Sequence, residues 1–114
     1  MVGPSVETVA SGRCLIARVS GEMDYATDPA FRPQFKELIA RDERFIVLDL
    51  SRVSFCDSVG LSVLLGAWRE AEERGVVLML ACVPAQVRRI LQMTGVDQVL
   101  PLYATVTDAE AVAA

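Results

Sequence analysis

With 114 residues, the chain has room for one buried core and is too short for two ordinary domains. Its 53 % hydrophobic content excludes a disordered polypeptide. Eleven Lys and Arg against fifteen Asp and Glu leave a net charge of −4, with no segment that concentrates positive charge. That balance argues against binding to nucleic acid or an anionic membrane and points to another protein as the partner.

The N-terminal "MVGPSVETVASGR" lacks the basic start and apolar run of a secretory signal. Its "SVETVA" (5–10) is a candidate first strand with weak alternation. "CLIARVS" (14–20) follows as a strand. Next, Phe31, Phe35, Leu38 and Ile39 have the spacing of a helix entered at Asp28-Pro29. Pro33 conflicts with a start at Pro29, because a proline beyond the first turn removes a hydrogen bond and crowds the preceding turn. The helix therefore starts near Arg32, or its first turn is irregular. "FIVLDL" (45–50) is almost continuously apolar, as expected of a strand covered on both faces.

Beyond "FCDSVG", Leu61, Leu64, Leu65 and Trp68 form one apolar stripe, and Gly75 is placed to end the helix in a left-handed cap. "GVVLMLACV" (75–83) reads as another buried strand. The segment 84–94 reads as a helix with Pro84 at its first position, Val87, Ile90 and Leu91 inward, and Gly95 as its stop. "QVLPLY" (98–103) offers a last edge strand, where Pro101 is tolerated. Thr107-x-x-Glu110 has the form of a capping box opening a short Ala-rich helix. Strands alternating with helices, without repeat or linker, predict a single small α/β domain.

Cys14, Cys56 and Cys82 are odd in number and widely spaced in apolar surroundings, which predicts buried free thiols in a reducing cytoplasm. With no histidine and no C-x-x-C, no metal site and no cofactor is expected. The longest apolar run, Val76 to Val83, is far shorter than the roughly 20 residues of a membrane span.

The turn "CDSVG" carries the chemistry. Loops at the carboxyl ends of strands hold the sites of such folds, and Ser58 or Asp57 is the natural N-cap of the helix that follows. Ser58 as a catalytic nucleophile lacks a base: there is no histidine, Lys36 is the one lysine, and an ordinary carboxylate takes a serine proton poorly. A phosphate-cradling loop would need more glycine and no Asp57. The third reading makes Ser58 the substrate of another protein's kinase. A phosphate adds about −1.5 to −2 charges, which a helix N-terminus tolerates. A partner docked on the neutral turn would then be displaced without refolding.

The motifs resemble a known family. "FCDSVGLSVLLG" (55–66) resembles the D-S-[ST]-G-L-G-V-[LI]-L-G segment of bacterial anti-sigma factor antagonists, the STAS domain proteins. "VSGEMDYAT" (19–27) is similar to the family's L-x-G-E-L-D-x-x-T, and "PAQVRRILQMTGVDQVLPLY" (84–103) to its P-x-V-x-x-[LI]-[LF]-x-x-[ST]-G-[LI]. The match runs from about Val6 to Ala111. It implies one STAS domain spanning the chain, a small mixed β-sheet flanked by about four α-helices. It further implies a non-enzymatic antagonist whose unmodified form binds a GHKL-type anti-sigma serine kinase and frees a sigma factor. Phosphorylation of Ser58 would end the association and a PP2C-type phosphatase restore it. The implied partner surface comprises Asp24, Asp57, Ser58, Val59, Gly60, Leu61 and Ser62. Val59 stands where Ser or Thr is common, which leaves Ser58 the one hydroxyl of the turn, and Ser62 stands where glycine is frequent. A non-catalytic scaffold subunit of a larger signalling or transport assembly is the alternative.

Overall fold

The computed structural model describes residues 3–113, in which the apolar runs pair into a five-stranded sheet. In chain order the elements are β1 (Ser5–Ser11), β2 (Cys14–Met23), α1 (Asp28–Ile39), β3 (Phe45–Cys56), α2 (Ser58–Arg74), β4 (Val77–Ala81), α3 (Ala85–Thr94), β5 (Leu102–Tyr103) and α4 (Val106–Glu110). The strands lie in the order β1-β2-β3-β4-β5. β1 runs antiparallel to β2, and β2 through β5 are parallel. The sheet is thus mixed, and the fold is the α/β class expected.

Alternation along the strands divides the core in two. Leu15, Ala17, Ile46, Leu48, Leu50, Leu78 and Leu80 point to one face, where α1, α2 and α3 cover them with Phe31, Phe35, Leu64 and Leu91. Cys14, Ile16, Val47, Met79 and Ala81 point to the other, beneath Ala109 and Ala113 of the C-terminal segment. β3 is apolar on both sides over 46–48 because both sides are covered there. Where α4 no longer reaches, the second face turns polar, and Glu7, Arg18 and Asp49 stand side by side across three strands with alternating charge.

Several boundaries differ from the sequence reading, each for a physical reason. α1 begins at Asp28, not near Arg32, and accommodates Pro33 inside the helix. Pro33 lies on the exposed side, so the Pro29 carbonyl that loses its amide faces water, while the stacked Phe31 and Phe35 anchor the opposite side. β3 continues to Cys56, well past Leu50, because it goes on pairing with β2 after its ladder to β4 has ended at Asp49. Exposed Ser51, Arg52 and Ser54 hide this extension from a hydrophobicity reading. β4 is confined to Val77–Ala81 and β5 to Leu102–Tyr103, with a 3-10 turn at Val96–Gln98 before it.

Gly75 and Gly95 end α2 and α3 with φ of 71° and 78°, the left-handed caps expected of them. Pro84 is the N-cap of α3 and not its first helical residue. The capping box of α4 is also displaced. Thr105 caps the helix by accepting the Asp108 amide at 3.0 Å, whereas Glu110 is drawn away as the acceptor of the Ser11 hydroxyl at 3.0 Å. Cys14 and Cys56 are buried free thiols; Cys82, expected to be buried, is half-exposed at the edge of the second core.

Candidate functional site

Two chain segments meet at the carboxyl ends of β2 and β3. The β2–β3 register shifts between Arg18 and Ser20 and again between Gly21 and Glu22, each time accommodating one extra residue of β3. As a result Cys56 ends opposite Met23, and the Asp57 amide donates to the Met23 carbonyl at 3.2 Å. The turn that starts α2 is thereby tied to the turn that follows β2.

The β2 turn is closed by reciprocal bonds. The Asp24 amide donates to Thr27 Oγ1 at 2.9 Å, and the Thr27 amide donates to Asp24 Oδ1 at 3.0 Å. Thr27 Oγ1 in turn donates to the Glu22 carbonyl at 2.7 Å. Asp24 is therefore a turn-forming carboxylate that remains half-exposed beside the Asp57 turn.

At the head of α2, the choice between Asp57 and Ser58 as cap is resolved in favour of Asp57. Its backbone is extended (φ −104°, ψ −169°), and Oδ1 accepts from the amides of Val59 at 2.9 Å and Gly60 at 3.0 Å. Ser58 is the first helical residue and is exposed; its hydroxyl makes no hydrogen bond among the described residues. Capping thus takes nothing from Ser58, and its oxygen is open to solvent.

Gly60 has ordinary helical geometry but no room for a side chain. A Cβ placed there would lie 2.1 Å from the Met23 carbonyl oxygen. The glycine lets the first turn of α2 press directly on the end of β2.

The implied partner surface divides accordingly. Ser58 and Ser62, four residues apart, share one exposed side of α2. Asp24, Asp57 and Val59 are half-exposed around them. Gly60 and Leu61 are buried, Leu61 in the core beneath the helix, so neither offers a side chain to a partner. The helical spacing turns both inward. Two exposed aromatics outside that set lie on the adjoining segments, Tyr25 at 81 % exposure and Phe55 at 46 %. Tyr25 lies in the turn after β2, and Phe55 is the last residue but one of β3. The available signal was a bulky aromatic in a loop and another at a strand end, where neither serves the core.

Cys56 lies directly beneath the turn. Burial, and next the Asp57 carboxylate, push its thiol from 9.0 up to about 11. In the unfolded chain the thiolate forms from about pH 9 upward, but the folded chain resists it until about pH 11. Cys56 therefore favours the folded state fully below pH 9, and that contribution is lost as the pH climbs through 11. Urea midpoints measured from pH 8 to 11 are expected to fall more steeply for the parent chain than for Cys56→Ala. Equal slopes would refute the assignment.

Among the described residues, no three His, Cys, Asp or Glu side chains gather as they would around a metal ion, and no helix is long and apolar enough to cross a membrane. The arrangement offers a free hydroxyl, a fixed carboxylate beside it, and exposed aromatics on the segments that meet there.

The STAS domain family model matches residues 5–109. The anti-sigma F factor antagonist of Paenibacillus polymyxa is 38 % identical over 90 residues, covering 78 % of this chain and 77 % of that protein. Among solved structures, an anti-sigma factor antagonist from Mycobacterium paratuberculosis superposes with a TM-score of 0.86 at 28 % identity, covering 96 % of this chain and 93 % of its own. The Bacillus cell fate determinant SpoIIAA, solved in a phosphorylated form, shares the fold with a TM-score of 0.71 at 23 % identity, covering 96 % of this chain and all of its own. An N-capping aspartate followed by a free serine, on a five-stranded mixed sheet with helices on both faces, is thus found in a chain that belongs to the STAS domain family.

Proposed function

We propose that this protein is a non-enzymatic anti-sigma factor antagonist of the cytoplasm. In its unmodified form it binds a GHKL-type anti-sigma serine kinase and so frees a sigma factor. The kinase transfers the γ-phosphoryl group of ATP to Ser58: the Oγ–P bond forms, the bond to ADP breaks, and the hydroxyl proton is released. The added charge ends the association, and a PP2C-type phosphatase restores it by hydrolysis.

One observation carries this reading. The Ser58 hydroxyl is exposed and unbonded at the first position of α2, because Asp57 does the capping. A serine serving as the cap would have to give up its bond to the helix before it could react. The surrounding surface, with Asp24, Asp57, Val59, Ser62, Tyr25 and Phe55, is suited to a protein partner: the aromatics supply contact area and the polar groups supply register.

The test is to incubate the chain with candidate anti-sigma kinases and ATP and to map phosphate by mass spectrometry. A single phosphate on Ser58, absent from Ser58→Ala, is expected, with the unmodified chain co-eluting with the kinase. Phosphate on another residue, or co-purification with a large assembly and no kinase association, overturns the proposal.

A further inference from the structure

We propose that Asp57 holds a phosphate on Ser58 away from the helix N-terminus, so that the modification stays on the docking surface and does not fold into the scaffold. The inference rests on Ser58 being the acceptor and concerns where the phosphate then goes.

A phosphoserine in the first turn of a helix ordinarily turns its oxygens onto the free backbone N–H groups there, which lie at the positive end of the helix dipole. Here all of those donors but one are already engaged. The Val59 and Gly60 amides are taken by Asp57 Oδ1 at 2.9 and 3.0 Å, the Asp57 amide by the Met23 carbonyl at 3.2 Å, and the Leu61 amide by the Asp57 carbonyl at 2.9 Å. Among the described residues, the N–H left without a partner in this turn is that of Ser58 itself.

The helix has little freedom to shift and expose others. Gly60 is packed so closely on the Met23 carbonyl that a Cβ would not fit between them. A phosphate could reach the Val59 and Gly60 amides only by expelling the Asp57 carboxylate, and the two anions repel each other. The ion pairs among the described residues, Arg32–Asp28, Arg41–Glu37 and Arg74–Glu70, lie on α1 and at the far end of α2, and none of them includes Asp57. The phosphate therefore faces solvent next to Asp57. Together they present a charge of about −2.5 to −3 where the unmodified turn presents −1. Asp57 acts through the phosphate's position and is a positioning residue.

The experiment places phosphoserine at position 58 by genetic encoding, so it needs no kinase. Amide shifts of Val59 and Gly60 are compared with and without the phosphate, in the parent chain and in Asp57→Ala and Asp57→Asn. In the parent, both amides are expected to keep their shifts. In the variants, the phosphate takes the vacated or weakly held amides, both resonances move downfield, and the thermal midpoint rises on phosphorylation. A cap with a merely structural role would lower the midpoint in the variants without making it respond to the phosphate. Asp57→Asn keeps an acceptor oxygen and so guards against a variant that does not fold. Downfield movement in the parent equal to that in the variants overturns the inference, as does no movement in either variant. A kinase that ignores Ser58 would defeat the functional proposal while leaving this result intact.

Discussion

Gly60→Ala is expected to lower the unfolding free energy by about 3 kcal/mol, at the upper end of what overpacking a rigid site costs. The added Cβ would stand 2.1 Å from the Met23 carbonyl oxygen, 2.8 Å from its carbonyl carbon and 2.8 Å from Met23 Cβ. Two of those atoms are backbone at the end of a paired strand, so no side-chain rotation relieves the contact. α2 must lift from β2, and the bond from the Asp57 amide to the Met23 carbonyl lengthens or breaks. In a helix interior, alanine by itself would be favoured over glycine by about 1 kcal/mol. A destabilised variant therefore isolates the steric effect from propensity. Urea denaturation followed by circular dichroism measures it. Gly66→Ala is the control, since the nearest atom to its added Cβ is Arg32 Nη1 at 3.8 Å, and it should be neutral or stabilising. A Gly60→Ala chain as stable as the parent would show that the close approach is not rigid.

Ser58→Asp is expected to weaken kinase binding by about 10- to 100-fold, equivalent to about 1.4 to 2.7 kcal/mol, while leaving the thermal midpoint nearly unchanged. The reason for the unchanged fold is local. Position 58 is exposed and first in its helix, where a carboxylate is ordinarily welcome by roughly 0.3–1 kcal/mol, and Asp57 beside it offsets that gain. The reason for the lost affinity lies at the interface: a partner fitted to a neutral hydroxyl meets a second carboxylate that it must desolvate or face with like charge. Calorimetric titration against the cognate kinase, paired with thermal melts of both chains, separates the two. Ser58→Ala should bind far more nearly as the parent does than Ser58→Asp, because it removes the hydroxyl without adding charge. Binding by Ser58→Asp at parent affinity would refute the proposed switch.

Much of the scaffold was legible because local patterns and global packing agree. The helical stripe from Leu61 to Trp68 and the glycines at 75 and 95 mark α2 and the end of α3 with short-range signals. The apolar run at 45–50 lies between two covered faces, as its composition suggested. The last residues of β3 were not legible. They pair on one side alone, Ser51, Arg52 and Ser54 interrupt the apolar run, and the pairing that makes them a strand comes from β2. The Thr107 box failed for a comparable reason: Ser11, at the opposite end of the chain, engages Glu110.

By itself the sequence determined the element types, the one serine hydroxyl in the 57–61 turn and the absence of histidine to activate it, since these follow from residue identity and spacing along a regular backbone. The tertiary structure alone decided that Asp57, and not Ser58, caps α2. It also decided that Gly60 rests on Met23 while Tyr25 and Phe55 stand exposed. The meeting of this turn with Met23 depends on two shifts of register between β2 and β3, which bring residues distant in sequence within hydrogen-bonding reach. A pattern of neighbours along the chain carries no record of such a meeting across the sheet.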